Sequence, residues 1–395
     1  MWLQHLLWSL VFLSLQRTVK AKIQIPSNGN YSILHSTAKL TDYTRIDPLD
    51  PMNGTRSIMT SLFYPVPKHS CSRHCSVPYM PPATASFFDG FAGVPNGTIG
   101  SFYLSFCCAT KKSYTPNPSI VPLIIFSPGL QSSRLAHNAQ IQALAASGYA
   151  VLSIDHPWDA AVVEFPNEPP IRGYLADKIA DNSTGTPILN WDVLAFGVRI
   201  RVADVSFALD KLSELTTVRH LLPGAEATFD TNRTAIFGHS YGGATSVLSL
   251  TVESRLIGAL NMDGALYGMN DSRPTTKPAI FLGTSIHNST SNDEVTWSNV
   301  WTRLWGFKRE FAIQKTAHLF YMDTPLLLEL GGLTPAPGLA EQLGELGSKR
   351  GKYGFNTVVR LVEAFMEFVF WGKDSVILED PESVFPEVLE VSRSI

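Results

Sequence analysis

Ser240 stands in the run Gly238-His239-Ser240-Tyr241-Gly242-Gly243, a Gly-x-Ser-x-Gly pattern. A serine hydroxyl is a weak nucleophile until an imidazole takes its proton, and that imidazole needs a carboxylate to fix its tautomer. Residues 233–237 read as a buried strand and residues 244–250 as a helix, so the serine would ride on a strand–turn–helix elbow. Such a turn excludes bulk two residues before and two after the serine, and glycine tolerates the backbone angles required there. On elbows of this type the acid follows the serine in the chain and the histidine follows the acid, which narrows the histidines to His287 and His318. His318 lies in Lys315-Thr316-Ala317-His318, just past a strand over 310–314, where it can reach back to the elbow. His287 lies in the polar stretch 285–290 and is expected to face solvent, which favours His318 as the base. For the acid, Asp263 ends the apolar strand 257–262 at the carboxyl edge, where such sheets place their sites. A charge buried there needs a partner, and a histidine would satisfy it. The competing acid is Asp293, beside Glu294, whose alternative role is to supply helix N-terminal charge.

A tetrahedral oxyanion needs two backbone N–H donors. One is expected from Tyr241, directly after the serine. The other is expected from the turn Ser127-Pro128-Gly129-Leu130-Gln131, at Leu130 or, as runner-up, Gln131; Pro128 has no N–H to offer. The elements around these positions alternate. Strands are expected over 56–66, 121–126, 149–154, 256–262, 278–283 and 310–314, and helices over 135–147, 191–215 and 356–371. This is the pattern of an α/β protein, a mostly parallel central sheet with helices on both faces. Residues 22–55 read as an irregular lead-in. Residues 68–117 read as a loop-rich insertion whose aromatic residues either cap the site or pack on the core. Trp297, Trp301 and Trp305, four apart, read as helix packing rather than a binding platform.

With 395 residues, 45% hydrophobic, 16% charged and a formal charge of −3 without a basic run, the chain is globular and unsuited to nucleic acid. Residues 2–15 are almost wholly apolar and Val19-Lys20-Ala21 offers a small-residue cleavage signature, so residues 1–21 read as a secretory signal peptide and 22–395 as one domain. Glycosylation sequons stand at Asn30, Asn53, Asn96, Asn182, Asn232, Asn270 and Asn288. Four cysteines, Cys71, Cys75, Cys107 and Cys108, favour two disulfides in a secreted chain, each of the first pair bonding one of the second. The alternative is a metal site using Cys71, His74 and Cys75, which an oxidising compartment disfavours. Asp155 and His156 precede the elbow and are expected to shape the pocket. Nothing in the sequence calls for a cofactor or a metal.

Together Ser61-Leu62-Phe63-Tyr64-Pro65-Val66, Phe126-Ser127-Pro128-Gly129-Leu130, Gly238-His239-Ser240-Tyr241-Gly242-Gly243-Ala244-Thr245, Asn261-Met262-Asp263-Gly264 and Thr316-Ala317-His318 resemble the platelet-activating-factor acetylhydrolase family of α/β-hydrolases, its plasma and type II members. The spacing of 23 residues from Ser240 to Asp263 and 55 from there to His318 is similar to that family's, and the similarity runs from about 56 to 390. The resemblance implies a secreted serine esterase or lipase hydrolysing short or oxidised sn-2 acyl esters of phospholipids without calcium, with peripheral lipid contact. It carries over Ser240, Asp263 and His318 as the catalytic set and Leu130 and Tyr241 as oxyanion donors. The chain departs from the pattern at Pro128, where the animal enzymes often carry histidine, and after Asp263, where their tryptophan is missing. Its sequons and cysteine-bracketed insertion are more similar to secreted fungal relatives. The alternatives are a cutinase- or polyester-hydrolase-like or general carboxylesterase, and, from another class, an inactive hydrolase fold used for binding.

Overall fold

Apolar residues on both sides of a strand require both faces of its sheet to be covered. That is the pattern of the inner strands. A computed structural model of the chain describes residues 22–175, 180–181, 188–269, 272–290 and 296–394. The expected signal peptide 1–21, the sequon residues Asn182 and Asn270, and Asp293 lie outside the described residues. In chain order the first half comprises β1 (Tyr31–Ile46), β2 (Thr55–Pro67), β3 (Cys71–Pro78), α1 (Pro82–Phe91), β4 (Phe102–Thr110), β5 (Leu123–Ser127), α2 (Asn138–Ala146) and β6 (Ala150–Asp155). There follow α3 (Trp191–Leu212), β7 (Thr234–His239), α4 (Tyr241–Val252), β8 (Leu256–Met262), β9 (Ala279–Thr284), β10 (Lys308–Ile313), α5 (Thr324–Gly331), α6 (Gly351–Trp371) and β11 (Val388–Arg393).

Nine strands form one sheet in the order β11-β10-β9-β8-β7-β5-β6-β2-β1. The six from β10 to β6 are parallel, and antiparallel strands close both ends. This is the expected α/β-hydrolase type of sheet. Alternate residues feed opposite cores: Ile124, Phe126, Phe237 and Leu260 pack with α2 and α6 on one face. Ile125, Ile236 and Ala259 pack with α3 and α4 on the other. Each fully buried large apolar side chain contributes about 1.5–3 kcal/mol relative to exposure. No helix among the described residues is long and apolar enough to cross a membrane.

Several expectations change. Residues 31–46 are not an irregular lead-in but a 16-residue edge strand paired with β2. Its polar outward residues, among them Thr37 and Thr41, dilute the one-sided apolar alternation. The 68–117 insertion holds β3, α1 and β4; β3 and β4 pair antiparallel, stapled by disulfides Cys71–Cys107 and Cys75–Cys108. Phe88, Phe102 and Phe106 sink into the core beside α2, while Phe91 stays exposed. Trp297 is fully buried, but its helix ends at Trp301 and Trp305 lies beyond it, exposed. Asn30, Asn53, Asn96 and Asn232 are exposed. Asn288 differs from these: its amide is buried, donating to the Thr284 carbonyl and accepting from the Thr290 N–H.

Beneath the edge of the sheet lies a buried charge cluster. Arg56 donates to Asp47 at 2.9 Å and, through Nη2, to Asp204 at 2.5 Å; Asp204 also accepts the His156 Nδ1–H at 2.9 Å. Burial disfavours the Asp204 anion, yet the Arg56 guanidinium and the His156 N–H outweigh it and hold the carboxyl well below its usual range. A buried ion that loses its partner is strongly destabilising. Arg56→Met is therefore expected to cost about 3–5 kcal/mol, read as a fall in the urea midpoint; an unchanged midpoint would contradict this account of the cluster.

Candidate active site

At the carboxyl end of β7 the chain reverses into α4 through Ser240, whose φ of 56° and ψ of −123° put it where side chains seldom go. The glycines make room. A Cβ on Gly238 would lie 2.2 Å from the Gly242 carbonyl oxygen, and one on Gly242 would lie 1.9 Å from that of Ser127. Neighbouring strands hold the turn: the Ser240 N–H donates to the Met262 carbonyl at 2.8 Å.

Asp263 follows Met262 at the end of β8 and also has a positive φ, 55°. Its N–H donates to the Leu282 carbonyl at 2.7 Å. The Asn261 amide closes the turn behind it, accepting the Gly264 N–H at 2.9 Å and donating to the Gly264 carbonyl at 2.8 Å. His318 stands past β10 with its Nδ1 2.6 Å from Asp263 Oδ2 and its Nε2 2.8 Å from Ser240 Oγ. A carboxylate only accepts, so Nδ1 carries the proton and Nε2 is free to accept from the hydroxyl. An imidazole bridging hydroxyl and carboxylate in this way can draw the proton from the serine. The structure thus brings Ser240, Asp263 and His318 together.

The loop after β5 approaches this group closely: a Cβ on Gly129 would lie 3.3 Å from the Ser240 Cβ. Its groups are committed one by one. Ser127 Oγ meets His156 Nε2 at 3.0 Å. Arg201, from α3, donates to the carbonyls of Pro128 and Gly129 and grips the Asp159 carboxylate with two N–H groups. The Gln131 N–H donates to the Asp159 carbonyl at 3.2 Å, so Gln131 is spent. The Leu130 and Tyr241 N–H groups enter no backbone hydrogen bond among the described residues. Leu130, Tyr241, Ser240, Asp263 and His318 line one pocket, with apolar walls from Leu194, Ala265, Tyr267 and Ile286. No residue of the 68–117 insertion lines it among the described residues.

His287 corrects the reading. It does not simply face solvent: its Nδ1 donates to the other Asp263 oxygen, Oδ1, at 2.8 Å, and its ring lines the same pocket. Sequence reasoning set it aside because the flanking residues are polar. Arg201 and Asp159 were also missed; the available signal was a pair of charged residues, Arg201 and Asp204, among the apolar residues of the buried face of α3. Asp155 and His156 lie away from the pocket lining, Asp155 pairing with Arg134.

Buried imidazoles back the site. His239 donates from Nε2 to the His318 carbonyl at 2.9 Å, and His137 packs on the His239 ring at 5.3 Å. Burial holds His137 and His35 down to about 3 and pushes His239 and His156 below their ordinary value. Burial pushes the Asp323 carboxyl the other way, up to about 7.

Three comparisons bear on this geometry. The sequence model of a family described as platelet-activating factor acetylhydrolase, isoform II matches residues 53–329. A protein of Arthroderma benhamiae (strain ATCC MYA-4681 / CBS 112371) described as "Probable 1-alkyl-2-acetylglycerophosphocholine esterase" is 27% identical over 406 residues, covering 96% of this chain and 97% of that protein. The solved structure of a ferulic acid esterase from Streptomyces cinnamoneus superposes with a TM-score of 0.75 at 27% identity, covering 94% of this chain and 100% of the other.

Acid is expected to destabilise the fold. In the unfolded chain the three buried histidines and half-buried His35 take up protons near pH 6.5, whereas folded His35 and His137 stay neutral until about 3. The unfolded state therefore binds more protons as pH falls from about 6.5 towards 3, and stability drops. Asp323 opposes this: folded, it keeps its proton up to about 7, so its contribution is present below about 4 and lost as pH rises towards 7. Four imidazoles outweigh one carboxyl. The urea midpoint should fall between pH 6.5 and 4.5, and a flat or rising midpoint would refute this balance.

Proposed function

This chain belongs to the platelet-activating factor acetylhydrolase, isoform II family, and on that premise we propose that Ser240, His318 and Asp263 carry its ester hydrolysis through an acyl-enzyme. That the protein is a carboxylic ester hydrolase is common to the family and to the relatives it matches. Ser240 Oγ passes its proton to His318 Nε2 and attacks the ester carbonyl carbon. The carbonyl oxygen, now an anion, lies between the N–H groups of Leu130 and Tyr241. His318, its Nδ1–H held by Asp263, returns the proton to the departing alcohol. Water then gives a proton to His318 and attacks the acyl carbon, and His318 returns that proton to Ser240 Oγ as the acyl–serine bond breaks and the acid leaves. One observation carries this reading: His318 reaches Ser240 at 2.8 Å and Asp263 at 2.6 Å in a pocket that also presents two uncommitted N–H groups.

The substrate proposed is a phospholipid with a short or oxidised acyl chain at sn-2, of the 1-alkyl-2-acetylglycerophosphocholine type named for the Arthroderma relative. Leu194, Ala265, Tyr267 and Ile286 supply the apolar wall that an acyl chain needs. A second reading, hydrolysis of aromatic esters, is favoured by the Streptomyces structure at the same 27% identity. Secretion is part of the proposal: two disulfides suit an oxidising compartment, and four exposed sequon asparagines are open to glycans.

A fluorophosphonate probe is expected to label the protein, and Ser240→Ala to abolish labelling and lower kcat by about 10⁴- to 10⁶-fold. Labelling that survives Ser240→Ala would overturn the mechanism. Comparing kcat/KM for a 2-acetyl phospholipid and methyl ferulate decides the substrate, with the phospholipid expected to be preferred.

A further inference from the structure

We infer that His287 is a positioning residue that holds the Asp263 carboxylate in place for His318, an inference that rests on the roles proposed above for Asp263 and His318. The carboxylate is almost wholly buried, its side chain 2% exposed, and each oxygen receives one imidazole N–H: Oδ2 from His318 at 2.6 Å and Oδ1 from His287 at 2.8 Å. A carboxylate held at one oxygen still turns about its terminal bond, because that torsion is broad. Donors on both oxygens fix its plane, so the lone pair aimed at His318 is set before any substrate arrives. The second donor also stabilises the anion at the stage when His318 carries the serine proton and is itself a cation.

His287 is built to stay put. Its N–H donates to Thr284 Oγ1 and its carbonyl accepts the Thr284 N–H, both at 3.0 Å, which ties it to the end of β9. Its ring packs 5.0 Å from that of buried Trp297, whose indole N–H donates to the Gly264 carbonyl at 2.8 Å. One tryptophan thus braces both the residue after the acid and the histidine that steadies it. The chain has no tryptophan directly after Asp263; Trp297 reaches the Gly264 carbonyl from a later helix.

The test compares three variants with wild type on a soluble acetyl ester. His287→Ala removes the N–H and is expected to lower kcat by about 10- to 100-fold, the worth of one hydrogen bond to a charged group, with KM within about threefold. His287→Asn places an amide N–H near the Nδ1 position and should restore kcat to within about threefold of wild type. His287→Leu keeps bulk against Trp297 without the donor and should be as slow as the alanine variant, which it replaces should that one fail to fold. If the donorless variants retain wild-type kcat, or if the asparagine variant is as slow as they are, the inference is overturned. Fluorophosphonate labelling of wild type separates the two levels. A wild-type protein that labels at Ser240 while His287→Ala is unaffected defeats this inference alone, whereas a wild-type protein that never labels defeats the functional reading beneath it.

Discussion

Ser240 holds a backbone conformation, φ 56° and ψ −123°, that costs on the order of 1–3 kcal/mol and persists only where the surroundings over-determine it. Much of the architecture can be understood as that over-determination. β7 lies between β5 and β8, and the loops leaving these two neighbours converge on the elbow: one brings Leu130, the other Asp263. The elbow has no room for a side chain at Gly238 or Gly242, so the backbone of the β5 loop presses directly on it. Tight contact at this one point sets where Ser240, Asp263, Leu130 and Tyr241 stand.

The polar groups buried behind the site serve the same end. An arginine in a protein interior is tolerated only when its donors are met. Arg201 meets this need with Asp159 and with the two carbonyls that precede Leu130. With these carbonyls turned towards the guanidinium, the Leu130 N–H is left without a backbone partner among the described residues. The pair thereby converts a costly burial into control over backbone direction. A hydrophobic pair of equal volume would fill the space but leave the carbonyls unoriented.

How much was legible in the sequence depended on how local each signal was. The Gly-x-Ser-x-Gly run, the apolar strands and the order of Ser240, Asp263 and His318 are local patterns, and they sufficed for the parallel strands of the sheet and for these three residues of the pocket. Between Leu130 and Gln131 the sequence offered no discriminating signal; the difference is a long-range contact, the Gln131 N–H donating to the Asp159 carbonyl. His287 was not legible: its role depends on a contact with Asp263 across 24 positions, made from a stretch whose composition reads as solvated. β1 was hidden because an edge strand alternates with polar residues. Asn288 passed as a sequon because a three-residue pattern carries no information on burial.

The strand order has a consequence for synthesis. β10, whose following loop carries His318, receives its outer neighbour only from β11, residues 388–393, at the very end of the described chain. β1 and β2, which close the opposite edge, are among the first to be made. Long-range pairings of this kind are slow, because chain closure must precede the contacts that reward it. On a ribosome the sheet would grow from the β1 and β2 edge inwards, with the strand beside His318 left open until residues 388–393 emerge. Ser240, Leu130, Tyr241 and Asp263 would all be in place before the strand that carries the His318 loop gains its outer support, so the proposed chemistry waits on residues 388–393.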